Sequence, residues 1–110
     1  MAGPVQELLE QTADRLITVG VRHDAGGVTD PLSQTCDEPL CVLNSLAFMW
    51  TLNDDRKDNN LECAQDLLAA ELYKSGKRVS LARWNDHHAT DDQVIELVQH
   101  TAKVAAERGI

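Results

Sequence analysis

The sequence predicts a mainly α-helical protein, with about four helices packed around a buried central helix and a small β-hairpin-like excursion between the first and second helices. Three segments repeat apolar residues at the i, i+3, i+4 spacing of an amphipathic helix, and a fourth is apolar on all sides. Only four residues are aromatic, so Leu, Val, Ile and Ala must build the core, which suits helices. At 110 residues the chain predicts one domain, residues 1–110, large enough to bury a core without disulfides.

The first helix is predicted in "GPVQELLEQTADRLITVG", residues 3–20. Pro4 occupies a position that tolerates proline in a first helical turn, and Gly20 is a typical stop. Glu7 and Asp14 place carboxylates on the outer face. The apolar face consists of Val5, Leu8, Leu9, Ala13, Leu16 and Ile17.

The excursion is predicted in "VRHDAGGVTDPLSQTCDE", residues 21–38. The tetrapeptide "DAGG" is typical of a tight turn between two very short strands. The Asp30–Pro31 pair favours an extended or turn conformation. A small hairpin or an Ω-like loop fits this pattern.

The second helix is predicted in "EPLCVLNSLAFMWTL", residues 38–52, with Asp37 or Glu38 as its cap and Pro39 in its first turn. Its apolar residues surround the helix axis, as expected of a buried central helix. Asn44 and Ser45 interrupt this pattern. Either they reach partners inside the bundle, or they mark the close approach of another backbone.

The third and last helices are amphipathic, and a solvated linker, "NDDRKDNN", precedes the third. The third helix, "NLECAQDLLAAELYKSG", ends at Gly76, and the following "KRVSLARW" fits either an extended segment or one helical turn. The last helix begins after Thr90, which forms a capping box with Gln93, and it ends at Gly109. Asp91 and Asp92 lie in its first turn, where the helix dipole favours negative charge.

The overall charge limits the classes of partner. A net charge of −8 repels phosphate backbones, so nucleic acid is not an expected ligand. The acidic surface fits a soluble protein or, alternatively, an acidic mimic of nucleic acid. A local basic patch is nevertheless present at Lys74, Lys77, Arg78 and Arg83.

No segment resembles a signal peptide or a membrane span, and three cysteines do not form a closed disulfide framework. We therefore expect a cytoplasmic protein that does not contact a membrane.

The stretch "LARWNDHHATDD", residues 81–92, contains the candidate site residues. Trp84 is a large amphipathic side chain suited to the edge of the core, and Asn85 and Asp86 are residues that stabilise turns. An alternative interpretation is a small-molecule, metal-binding or catalytic pocket. Its candidate residues are Trp84, Asn85, Asp86, His87, His88 and Cys41.

Neither metal binding nor catalysis has a recognisable motif. His87 and His88 are adjacent and point in different directions, so they do not easily bind one metal ion. The distant candidate ligands His23, Asp24, Cys36, Cys41 and His100 have no zinc-type spacing. No nucleophile elbow, P-loop or dinucleotide fingerprint occurs. The sequence therefore assigns no catalytic residue, cofactor or metal.

Three segments together resemble an uncharacterised family of actinobacteria and their phages, over about residues 5–105. They are a D-x-x-G-x-x-DP excursion, a Cys-led helix and a late WND motif. Asn44 and Ser45 stand where that family usually has Gly-Ala, which puts a close helix–helix approach there in doubt. The resemblance implies a similar fold and an actinobacterial or phage origin, but no activity. The matching residues are Asp24, Gly27, Asp30, Pro31, Cys41, Leu46, Trp84, Asn85 and Asp86.

Together these observations predict a small acidic accessory protein that binds a host protein or another copy of itself, and the resemblance implies that it can be phage-encoded. The pocket around Trp84, Asp86, His87 and Cys41 is the first alternative. The nucleic-acid mimic is the second.

Overall fold

Five helices form the described part of the chain. The computed structural model describes residues 3–23, 41–53 and 58–110. The helices are α1 (Pro4–Val19), α2 (Val42–Leu52), α3 (Asp58–Lys74), α4 (Leu81–His87) and α5 (Asp91–Glu107). No strand or sheet occurs within these ranges, so the mainly α class is confirmed. None of the described helices has the length and apolar character needed to cross a membrane.

Helix α1 packs against α2, α3 and α5, and its most extensive contact is with α5. Its predicted apolar face is buried except for Ile17, which is 56% exposed. Ile17 lies at the edge of the apolar stripe, and Thr12 extends the buried face instead. The Thr12 hydroxyl donates a hydrogen bond to the Leu8 carbonyl at 2.7 Å, which satisfies this buried polar group.

The beginning of α1 contacts the other end of the chain. The Ile110 carbonyl accepts hydrogen bonds from the backbone N–H groups of Val5 (2.9 Å) and Gln6 (3.3 Å). These donors belong to the first turn, where no intrahelical acceptor exists. A Cβ atom on Gly3 would lie 2.0 Å from the Ile110 oxygen, so this close approach requires glycine.

Helix α2 begins later than predicted. Its N-cap is Cys41, not Asp37 or Glu38, and the Cys41 Sγ accepts a hydrogen bond from the Asn44 N–H at 3.4 Å. The first half of the helix is buried, including Asn44 and Ser45, except for Leu43, which is half-buried. The second half reaches the surface, where Met49 and Trp50 are half-buried and Leu52 is 57% exposed. The predicted all-round burial therefore applies only to the first half.

The predicted number of helices, about four, was too low because α4 was not counted as a helix. The segment "KRVSLARW" was expected to be either extended or one helical turn, followed by a turn around Asn85 and Asp86, whereas Leu81–His87 form a seven-residue helix. Ser80 caps it by accepting a hydrogen bond from the Arg83 N–H at 3.2 Å. Leu81 and Trp84, three residues apart, are both buried. The tertiary contacts of these two side chains stabilise a helix that is too short to be stable by itself.

Two predictions have no structural test. The hairpin-like excursion falls mostly on residues 24–40, which lie outside the described residues. The single-domain assignment for residues 1–110 likewise stays a prediction.

The three predicted stops, Gly20, Gly76 and Gly109, do follow helices, and all three have positive φ angles (103°, 93° and 72°). This backbone conformation favours glycine.

Candidate functional site

The start of α5 has the predicted capping box. The Thr90 hydroxyl accepts a hydrogen bond from the Gln93 N–H at 3.3 Å, and the Gln93 side-chain oxygen accepts one from the Thr90 N–H at 2.9 Å. Asp91 and Asp92 occupy the first turn, as predicted. These contacts fix the start of α5 shortly after the end of the short α4.

Asn85 joins three parts of the chain at this junction. It is fully buried on α4. Its Oδ1 accepts a hydrogen bond from the Val42 N–H at 3.0 Å, in the first turn of α2. Its Nδ2 donates to the Arg22 carbonyl at 2.8 Å and to Asp86 Oδ1 at 3.0 Å. The side chain thus holds α4 to the start of α2 and to the segment that follows α1.

His23 makes a second connection at the same place. Its Nδ1 lies 2.6 Å from the Asn85 carbonyl, and its Nε2 lies 2.5 Å from Asp91 Oδ1. Both neighbouring oxygens are acceptors, so each ring nitrogen must carry a proton to form a hydrogen bond. The imidazolium form satisfies both contacts at once.

The electrostatic environment of His23 supports the same protonation state. The hydrogen bond to Asp91 is the main cause that raises the pKa of His23 above its ordinary value. Partial burial opposes this effect, while the Asn85 carbonyl and the negative charge of Asp86 add to it. His23 therefore carries a positive charge over a wider pH range than an isolated histidine.

Cys41 has a structural position, and its thiol is buried. It is buried, and its Sγ caps α2. Burial raises the pKa of the Cys41 thiol, because a thiolate would lose its hydration there. Backbone N–H groups at the start of α2 counteract this only in part. A nucleophilic cysteine needs the opposite shift of its pKa.

The histidine pair lies on the surface. His87 is the last residue of α4, His88 is its C-cap, and both are exposed. Within residues 3–23, 41–53 and 58–110, no three His, Cys, Asp or Glu side chains come together in a way that could hold a metal ion. Two of the distant candidate ligands, Asp24 and Cys36, lie outside those ranges.

Trp84 is almost fully buried and contributes to a groove between α3 and α5 with a volume of about 420 Å³. Leu72 and Leu97 line it beside the indole, and Lys77 and Glu96 also face it. Of the six candidate pocket residues, Trp84 lines this groove, and the other five, Asn85, Asp86, His87, His88 and Cys41, do not. The pocket that unites all six residues stays a prediction.

One wall of this groove contains a buried carboxylate with a lysine and a histidine beside it. The Glu71 side chain is only 6% exposed. Its Oε1 accepts a hydrogen bond from His100 Nε2 at 2.9 Å, and its Oε2 lies 3.0 Å from Lys74 Nζ. Lys74 is the main cause that lowers the pKa of Glu71; burial opposes the shift and His100 assists it. The sequence analysis missed this cluster, for which only the i, i+3 spacing of Glu71 and Lys74 is a local signal.

A second groove, between α1 and α2, has a volume of about 380 Å³. Phe48, Met49 and Leu52 line it from α2. On the α1 side, the Arg15 guanidinium lies over the Phe48 ring, 4.4 Å from its centroid, and Asp14 borders the groove. Three of its eight lining residues come from the second half of α2, which was expected to be buried, and the other five come from α1.

Comparison with known proteins places the chain in a family but assigns no activity. A family model described as "Family of unknown function (DUF6197)" matches residues 1–104. No characterised protein and no solved structure shows significant similarity to the chain. The match confirms the predicted membership of an uncharacterised family. The chain belongs to DUF6197, a family of unknown function.

Proposed function

We propose that this protein is a small accessory protein that acts by binding another protein through the groove between α1 and α2. The observation that carries the proposal is the incomplete burial of α2. This helix has the most uniformly apolar sequence of the chain, yet Met49, Trp50 and Leu52 remain partly or largely exposed at its end. An apolar helix of this kind is normally covered on all sides.

The groove also has the shape and polarity of a docking surface. Apolar side chains of α2 form its floor, and the Arg15–Phe48 stack holds one edge in place. Interfaces between proteins combine such an apolar centre with a polar rim. Aromatic, Met and Arg side chains, all present here, are enriched at interface centres.

The acidic rim specifies the kind of partner. Asp14 borders the groove. Glu7 lies seven residues earlier on the same side of α1, beside Trp50. Both acidic residues are exposed. A partner segment with apolar side chains flanked by Lys or Arg would complement this surface, and the net charge of −8 would steer it toward the protein.

The proposal includes a cytoplasmic location and a phage or actinobacterial origin. The odd number of cysteines supports a reducing compartment. The resemblance of the WND and Cys-led segments to proteins of actinobacteria and their phages supports the origin. A partner would then be a protein of the bacterial host.

The experiment compares three baits in a lysate of an actinobacterial host, with quantitative mass spectrometry of the retained proteins. They are the wild type, Leu52→Asp in the groove, and Ile17→Asp as a matched control. Ile17 is exposed to nearly the same extent (56% against 57%) but does not line the groove. The partner is the protein retained by the wild type and by Ile17→Asp but lost with Leu52→Asp.

The purified partner is then titrated against the three proteins. We expect Leu52→Asp to weaken binding at least about tenfold, as expected when a central apolar contact is lost. Glu7→Lys with Asp14→Lys should weaken it further at low salt. Equal retention of every protein by all three baits would contradict the proposal. So would a wild-type homodimer that Leu52→Asp dissociates, because a second copy would then occupy the groove.

A further inference from the structure

We propose that the groove between α3 and α5 binds a small organic monoanion with an apolar body. The site is independent of the proposed protein-binding surface, because no residue lines both grooves. Its volume of about 420 Å³ is in the range of small-molecule sites.

The floor of the groove suits an apolar ligand body. Leu72, Trp84 and Leu97 line it, and Trp84 is held in the core by α4. Small-molecule sites combine apolar and aromatic surface with a few polar groups that fix orientation. The buried Leu72 and Trp84 side chains give the groove a rigid base, and the half-buried Leu97 adds accessible apolar surface.

The lysines at the groove can bind a negatively charged group on the ligand. Lys74 and Lys77 line it, and Glu71, which also lines it, takes up the charge of Lys74, so Lys77 is the cation left to pair with a ligand. The buried Glu71 holds Lys74 and His100 through contacts of 3.0 and 2.9 Å, so these two side chains are positioned before a ligand arrives. A carboxylate placed beside Lys74 and Lys77 would receive charge-assisted hydrogen bonds from their ammonium groups.

Glu96 limits the charge that the ligand can carry. It lines the same groove and is exposed on α5. A second negative charge on the ligand would be repelled by Glu96, whereas a single carboxylate can lie on the side of the lysines. A monoanion such as an aromatic or aliphatic carboxylic acid therefore fits better than a polyphosphate.

The test uses benzoate as the probe and benzamide as its neutral control, with the full chain and two-dimensional NMR. Trp84 lies at the groove and Trp50 lies elsewhere, so the two indole N–H signals report the site and a reference. We expect millimolar benzoate to shift the Trp84 signal and the α3 and α5 amides in a saturable manner. Benzamide should bind at least about fivefold more weakly, because it lacks the charge.

Variants separate a true site from general attraction to lysines. Lys77→Ala should weaken benzoate binding about fivefold, and raising NaCl from about 20 to about 300 mM should weaken it as well. Lys103→Ala, an exposed lysine of α5 in the groove between α1 and α5, is the matched control and should leave binding unchanged. Folding of each variant is checked by its amide spectrum.

Three results would overturn the proposal. They are equal shifts with benzoate and benzamide, a Trp50 signal that moves as much as that of Trp84, and equal weakening by Lys77→Ala and Lys103→Ala. None of them bears on the protein-binding proposal, which depends on Leu52 and another face of the molecule.

Discussion

Replacement of Asn85 by Ala should strongly destabilise the fold, because this one amide connects three segments. The bond from the Val42 N–H to Oδ1 joins two fully buried residues. A buried donor left without a partner costs about 1–3 kcal/mol, and loss of the bond to the Arg22 carbonyl adds about 1 kcal/mol. The cavity left by the amide adds roughly 1 kcal/mol.

The expected loss in the free energy of unfolding is about 3–5 kcal/mol, which corresponds to a fall in Tm of roughly 12–30 °C. Urea denaturation followed by far-ultraviolet circular dichroism measures the free energy. In Asn85→Asp the carboxylate still accepts from the Val42 N–H but cannot donate to the Arg22 carbonyl, and it faces Asp86. We expect the Asn85→Asp protein to lose about 1.5–3 kcal/mol of its free energy of unfolding.

The control is Gln99→Ala, because Gln99 is exposed on α5. This change should alter the free energy of unfolding by less than about 0.5 kcal/mol. An Asn85→Ala protein within about 1 kcal/mol of the wild type would refute the role assigned to Asn85.

Two further predictions concern the ends of this junction. His23→Ala should reduce the free energy of unfolding by about 1 kcal/mol at acidic pH. This loss is small because the His23 and Asp91 side chains are 32% and 54% exposed, so solvent screens their interaction. The folded-state pKa of His23 is raised, so its stabilisation is complete below the ordinary value of 6.5 and is lost as the pH rises through the folded-state pKa. The difference between wild type and variant in urea should thus shrink at alkaline pH, and a pH-independent difference would contradict the imidazolium assignment. Thr90→Ala removes half of the capping box and should cost about 1 kcal/mol in the same assay. Thr90→Ser should cost almost nothing, and equal losses in both would indicate that the methyl group, not the cap, is responsible.

Periodicity and capping were sufficient to predict the long helices, because both are local. The apolar spacing of α1 and α5 and the Thr90–Gln93 capping box each depend on residues within two turns of one another. The same approach missed α4, since a seven-residue helix is too short to show a repeating apolar pattern. The burial of α2 was also overestimated. The number of residues that a helix buries depends on the length and position of the neighbouring helices, which no local pattern gives.

The candidate site illustrates the same limit more sharply. The sequence singled out the WND segment, but it did not indicate that Asn85 would contact Val42 or that His23 would contact Asp91. These partners are separated by 43 and 68 positions along the chain. The Glu71–His100 pair, 29 positions apart, was equally invisible.

The sequence by itself determined the helical class, the last helix cap, the acidic surface and the membership of an uncharacterised family, because each depends on local pattern or overall composition. Only the tertiary structure decided that Asn85 is a buried connector rather than a turn residue, and that Trp84 faces a groove with Glu71 and His100. The physical reason is that hydrogen bonds and ion pairs between distant residues depend on how helices pack, and no local propensity encodes those distances.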